Sequence, residues 1–140
     1  MALFDTDVLI DHLRGYEGAR KLLLKFKDER NYCSVITTGE LLFGMREHER
    51  KKTFALIESL EEVNVNKEIV RLAHDVKSRA HAQNIQLELN DCIIAATAIK
   101  FKQVLVTRNE KHYPDDQLTL FVPDYPLTRK VNSEKEKGPG

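Results

Sequence analysis

Ala2-Leu3-Phe4-Asp5-Thr6-Asp7-Val8-Leu9-Ile10-Asp11-His12-Leu13 is the stretch on which the fold turns. A short apolar run stops on an acid, and the residues after it can continue as a helix, so the segment reads as a strand passing into a helix. The same alternation repeats outward from there. Gly15 ends the helix, and Ala19, Leu22, Leu23 and Phe26 then return at helical spacing with Lys21, Lys25 and Lys27 facing out. Residues 31–35 read as a second strand. Residues 37–45 read as an apolar helix opened by a threonine, with Glu40 in its first turn. A mixed-charge helix is predicted from about residue 46 to 60, and a brief edge strand at 63–65. Ile69, Leu72, Ala73, Val76 and Ala80 mark the clearest amphipathic helix. The segment 92–99 is apolar on nearly every side and must lie deep in the fold. Val104-Leu105-Val106 reads as a central strand and residues 118–122 as one more. Strands alternating with helices predict an α/β fold of three layers, α/β/α, around a central parallel sheet. In such folds ligands gather at the carboxyl ends of the strands.

Composition narrows the class. A chain of 140 residues fits one domain, expected over residues 1–126 and followed by a polar, disordered tail over 127–140. With 41% hydrophobic and 31% charged residues, it has the profile of a soluble globular protein and not of a disordered or membrane-embedded one. No apolar run approaches the roughly 20 residues of a membrane span, and no basic segment leads into an apolar one at the start. The expectation is a cytoplasmic protein with no membrane partner. Cys33 and Cys92 stand far apart and outside any CxxC pattern, so neither a disulfide scaffold nor a zinc cluster is expected. The 22 basic and 22 acidic side chains cancel, which leaves nucleic-acid affinity to local clusters or to metal ions.

Several acids sit where apolar runs begin or end. Asp5 closes the first strand, Glu40 lies in a buried helix, Asp91 heads another, and Asn109 follows the last central strand. Buried ionised carboxylates cost several kcal/mol, about that much each, unless something neutralises them. A divalent cation does so if they converge, and Mg²⁺, which takes hard oxygen ligands and keeps several waters, suits one to three carboxylates around an open site. Each acid also has a structural reading. Thr37-Thr38-Gly39-Glu40 is a capping box in which Glu40 would satisfy a backbone N–H. Asp91 would complement a helix dipole after an Asn90 cap. Asp5, followed by Thr6 and Asp7, has little structural purpose.

The joint order of four segments resembles the PIN-domain family and, within it, the VapC-like toxins of toxin–antitoxin pairs. The segments are Leu3-Phe4-Asp5-Thr6-Asp7-Val8-Leu9-Ile10-Asp11, Ser34-Val35-Ile36-Thr37-Thr38-Gly39-Glu40-Leu41-Leu42-Phe43-Gly44, Asn90-Asp91-Cys92-Ile93-Ile94-Ala95-Ala96-Thr97-Ala98 and Leu105-Val106-Thr107-Arg108-Asn109. They span about residues 3–122. The resemblance implies a PIN fold and Mg²⁺- or Mn²⁺-dependent endoribonuclease activity in an acidic pocket of Asp5, Glu40 and Asp91. It also implies an RNA substrate, a homodimer, and a cognate antitoxin that blocks the site. Thr107 matches a hydroxyl position near that site, where it would hold the attacking water or a phosphate oxygen. Two positions depart from the family pattern. Relatives often carry Asn where this chain has Asp7, and an acid where it has Asn109. Asp7 adds a possible metal ligand, whereas Asn109 would ligate only through its amide oxygen or through water. Glu110 compensates only if its loop turns inward.

Other residues have mainly structural readings. The five histidines, His12, His48, His74, His81 and His112, show no metal-ligand spacing. Arg14 and Arg108, near the ends of two motifs, either grip phosphate or are surface residues. The charged run 47–52 reads as a solvated helix face. A rival enzyme class is a haloacid-dehalogenase-type phosphatase, for which Asp5-Thr6-Asp7 would be the nucleophile and acid pair. That family wants Thr or Val two residues after the second Asp, where Leu9 stands, and a later acidic pair after a buried strand, whereas Asp115-Asp116 follows Pro114. The remaining alternatives are a stand-alone RNA-processing nuclease and a PIN-like module that binds RNA or protein without cutting.

Overall fold

The computed structural model describes residues 1–129. Residues 130–140, which make up most of the expected tail, lie outside the described residues. Five short strands, β1 (Ala2–Phe4), β2 (Asn31–Ser34), β3 (Glu61–Val63), β4 (Val104–Val106) and β5 (Thr119–Phe121), form one sheet in the order β3-β2-β1-β4-β5. Every pairing is parallel. The first strand therefore lies in the middle, with Leu3 opposite Tyr32 on one side and Leu105 on the other.

Among the described residues six helices cover the two faces: α1 (Thr6–Leu13), α2 (Glu17–Lys25), α3 (Val35–Gly44), α4 (Arg50–Ser59), α5 (Lys67–Ala82) and α6 (Leu89–Phe101). Side chains along a strand point alternately to opposite faces, and β1 divides its three residues accordingly. Leu3 packs with Ile69, Val76 and Ile94 of α5 and α6, while Ala2 and Phe4 pack with Val8, Leu22 and Leu56 of α1, α2 and α4. All three are buried on both sides of the sheet, which is why the run is continuously apolar. The arrangement is the α/β/α sandwich with a central parallel sheet that the sequence predicts.

The two helices expected to be most regular are so. Asn66 caps α5 by accepting from the N–H of Ile69, and Ile69, Ala73, Val76 and Ala80 are buried at its apolar stripe. In α6 every residue from Cys92 to Ala98 is buried, and Thr97 avoids an orphaned hydroxyl by donating to the carbonyl of Ile93 at 2.8 Å.

Three boundaries differ from expectation. α3 starts at Val35, two residues before the predicted threonine, because Ser34 is its cap: the Ser34 hydroxyl oxygen accepts from the Ile36 N–H at 3.1 Å. The mixed-charge helix opens as a 3₁₀ turn over Glu47–Glu49 before α4, and the edge strand runs two residues earlier than expected. Past residue 126 the chain is still held to the domain, for the Thr128 carbonyl accepts from the Glu17 N–H and Arg129 bridges to Tyr16.

Candidate functional site

The carboxyl ends of β1, β2 and β4 point the same way, so the turns that follow them meet. Asp5 lies on the first of those turns. It is the N-cap of α1, accepting from the Thr6 N–H at 2.8 Å through Oδ1, while Oδ2 accepts from the Thr107 hydroxyl at 2.7 Å. Its own N–H continues the ladder to the Val106 carbonyl. The side chain is thus held from both neighbouring segments, 5% exposed, with its position set by a residue 102 places away in the chain.

Glu40 reaches the same place from the middle of α3. The Thr6 hydroxyl donates to its Oε1 at 2.7 Å and also lies 3.0 Å from the Thr37 hydroxyl. Because the helix begins at Val35 under a Ser34 cap, Glu40 is beyond the first turn and the capping-box reading fails. Asp91 lies in the first turn of α6, whose N-cap position is Glu88, so the expected Asn90 cap is not used either. Both acids face solvent in one open cleft of about 470 Å³, lined also by Asp5, Asp7, Glu88, Asn109 and His112.

The electrostatics follow from this convergence. Asp5 is held above the ordinary carboxylate range chiefly by burial, with Glu40 adding to the rise and hydrogen bonds from Thr107, Thr6 and Tyr113 opposing it. Asp7 is pushed up to about 6, by burial first and by the charge of Asp5 second; N–H groups of Arg108 and Val8 partly offset this. Asp91 is raised by burial, then by Asp5, while nearby His112 and Tyr113 pull it down. Carboxylates that raise one another's proton affinity across a shared space lack a counter-charge.

The donor set is hard oxygen with an open side. That fits Mg²⁺ or Mn²⁺, which retain water in their coordination shell, and does not fit a soft, fully caged metal. Among the described residues no three His, Cys, Asp or Glu side chains form a ready-made cage.

Several site residues behave otherwise than the sequence predicts. Thr107 is fully buried and its hydroxyl is committed, donating to Asp5 and accepting from the Asn109 N–H at 3.0 Å. It positions Asp5 and does not face water or a phosphate oxygen. Asn109 does line the cleft, with an exposed side chain. Glu110 instead lines a neighbouring hollow with Arg108 and Lys111, so it adds no acid to the cleft. Arg108 is only partly exposed and is not a free surface charge: its guanidinium pairs with Asp11, which is 2% exposed and also accepts from the Tyr125 hydroxyl at 2.7 Å. The Arg108 N–H donates to Asp7 Oδ2 at 3.0 Å, tying the β4 loop to α1. Asp115 is buried and paired with Arg79, outside the acid cleft, which removes the phosphatase reading.

Two neighbours of Asp91 escape sequence reasoning. His112 Nδ1 lies 3.3 Å from Asp91 Oδ2, and the Tyr113 hydroxyl stands 3.4 Å from Oδ1. Tyr113 is 3% exposed, and burial together with Asp5 and Asp91 disfavours its ionisation, which keeps it a hydrogen-bond donor. Only the short spacing from Asn109 to His112 hints at the first, since one 3₁₀ turn (Glu110–His112) separates them.

Comparison with known proteins gives a consistent picture. Residues 2–114 match the PIN domain family. The chain is 39% identical over 115 residues to Ribonuclease VapC10 of Mycobacterium tuberculosis (strain ATCC 25618 / H37Rv), covering 81% of this chain and 86% of that protein. A toxin–antitoxin complex from Klebsiella pneumoniae superposes with a TM-score of 0.76 at 26% identity, over 90% of this chain and 100% of that one. VapBC2 from Rickettsia felis, bound to a DNA fragment from its promoter, superposes at 0.79 with 19% identity over 88% of this chain and 98% of that one, a likeness of fold.

Proposed function

The chain belongs to the PIN-domain family, and from that premise we propose that it is the ribonuclease toxin of a toxin–antitoxin pair, an endonuclease that hydrolyses RNA phosphodiester bonds with Mg²⁺ or Mn²⁺. The observation that carries this reading is the meeting of Asp5, Asp7, Glu40 and Asp91, from three segments distant in the chain, in one open cleft. Asp5, Glu40 and Asp91 would hold the ion, with Asp7 beside them and the Asn109 amide at the rim. A divalent ion bound there supplies Lewis-acid polarisation of the phosphate and lowers the pKa of the water it carries.

The protein's own residues keep the acids ready for that role. Thr6 and Thr107 orient Glu40 and Asp5 by donating hydrogen bonds, and the bond from Thr107 also favours the ionised form of Asp5. Tyr113 and His112 contact the two oxygens of Asp91. The Asp11–Arg108 pair, with its acid buried, and the Arg108 N–H donating to Asp7 fix the loop on which Thr107 and Asn109 stand.

The partner reading rests on relatives. The chain's similarity to VapC10 and to a solved toxin–antitoxin complex supports a cognate antitoxin, and a homodimer and a cytoplasmic location accompany it. Among the described residues no helix is long and apolar enough to cross a membrane. Residues 1–126 would be the nuclease domain and the polar residues after it a tail.

Asp5→Asn and Asp91→Asn test the assignment. Each is expected to reduce Mg²⁺-dependent RNA cleavage to background and to weaken Mn²⁺ binding read by electron paramagnetic resonance, with circular dichroism unchanged. Wild-type rates in both variants would remove the catalytic role. Growth arrest on expression, relieved by a small protein encoded beside it, separates a toxin from a stand-alone processing nuclease.

A further inference from the structure

The acid cleft shares two walls, Ile10 and Glu40, with a second groove of about 460 Å³ that runs between the ends of α1 and α3 and the start of α4. The two grooves differ sharply in charge. The acid cleft offers carboxylates and one histidine, whereas the second is lined by Arg14, Arg46, His48, Lys52 and Arg129, against Glu40 and Glu49 as its acids. Arg14 and Arg46 are exposed and make no ion pair among the described residues, so their charge is free to act outward. Lys52 is steered into the groove by donating to the Leu13 carbonyl at 3.2 Å. The floor carries Thr53, fully buried, whose hydroxyl has no hydrogen-bond partner among the described residues.

A basic groove opening into an acidic one suits a polyanion that runs through both. The chain has no net charge, so a strand of phosphates gains nothing from the protein as a whole and must be held locally. We propose that this groove binds the phosphates of single-stranded RNA flanking the scissile bond, with Arg14 and Arg46 as the principal contacts, and so determines which way the strand crosses the site. The inference rests on the nuclease reading above and deepens it. Arginine contributes charge and a fork of donors suited to phosphate oxygens. The strand would turn from these cations over Ile10 and Glu40 to reach Asp5 and Asp91.

The test is fluorescence anisotropy of a labelled RNA oligonucleotide on the full chain in EDTA, which prevents cleavage, over a series of salt concentrations. Arg14→Gln and Arg46→Gln are each expected to weaken binding about three- to ten-fold and to reduce the slope of log K against log salt by about 0.7, the value for one charge on a single strand. Arg14→Lys and Arg46→Lys should restore the slope. In Mg²⁺ the glutamine variants should raise KM with kcat within about two-fold, as for lost uniform binding. Arg20→Gln, at a residue paired with Glu17 outside the groove, is the control and should change nothing. Unchanged affinity and salt slope in both glutamine variants, with wild-type cleavage intact, overturns the groove and leaves the nuclease standing. Loss of affinity for a co-expressed antitoxin with RNA binding unaltered also overturns it, and makes the groove a protein-binding surface. A wild-type chain that neither binds nor cuts RNA removes both readings.

Discussion

Replacing Asp7 by asparagine should make the metal-free protein more stable at neutral pH and less stable in acid. The folded chain holds the Asp7 proton up to about 6, against 3.8 for the free side chain. A raised carboxyl favours the fold while protonated, so its contribution is complete below pH 3.8 and is lost as pH rises through about 6. The rise corresponds to about 3 kcal/mol at neutral pH, an upper figure because Asp7 keeps one side open to solvent. Asparagine does not ionise and avoids that loss. It has one acceptor oxygen, however, where Asp7 accepts from both the Val8 N–H at 2.7 Å and the Arg108 N–H at 3.0 Å. Leaving one of those donors unmatched costs about 1–2 kcal/mol. The balance is a gain of about 1–2 kcal/mol at about pH 7.5, falling to a loss of at most about 1 kcal/mol at about pH 4.5, where the wild-type unfolded chain is already largely ionised at Asp7. Urea unfolding in EDTA at the two pH values measures it. If the wild type and Asp7→Asn change stability in parallel between them, Asp7 is not the destabilising charge and the electrostatic account of the cleft is wrong.

Thr107→Val removes the donor to Asp5 and the acceptor for the Asn109 N–H, both in a buried setting; unfolding should show a loss of about 1–3 kcal/mol, and cleavage should need more Mg²⁺. Gly18→Ala, a change that in a helix ordinarily stabilises, should destabilise this one in its first turn by about 1–3 kcal/mol, because the added methyl would stand 2.2 Å from the Tyr125 Cβ and push that ring off Asp11. A Tyr125→Gly background, which removes that Cβ as well as the ring, should erase the penalty in a double-mutant cycle. Lys102, which ends α6 with φ +52°, should gain about 0.5–1 kcal/mol on change to glycine, read as a higher melting temperature with activity unaltered.

The fold was legible because apolar continuity and helical period coincide with burial. Leu3, Val106 and the whole of 92–98 are hidden on every side, and α5 carries its stripe where the spacing places it. The convergence of Asp5, Glu40 and Asp91 was legible through motif order more than through any single acid, since each had a local structural alternative. What stayed hidden depends on contacts between distant segments. A threonine that positions an acid and one that contacts substrate look alike in sequence, and only the 2.7 Å bond to Asp5 separates them for Thr107. Arg108 reads as a surface charge until Asp11 and Tyr125, 97 and 17 positions away, are seen beside it. The start of α3 shifted because Ser34 outcompeted two threonines downstream, a choice made by where β2 ends.

The middle position of β1 has a consequence during translation. Its partners are residues 31–32 and 104–106, and Asp5 is completed by Thr107. A ribosome adding roughly 5–20 residues per second needs on the order of 5–20 s to make the intervening chain, and throughout that time Asp5 and Asp7 lack their β4-side partners. A nascent chain therefore leaves Asp5 and Asp7 without the hydrogen bonds that set their geometry until Thr107 and Arg108 have been made and β4 has paired with β1.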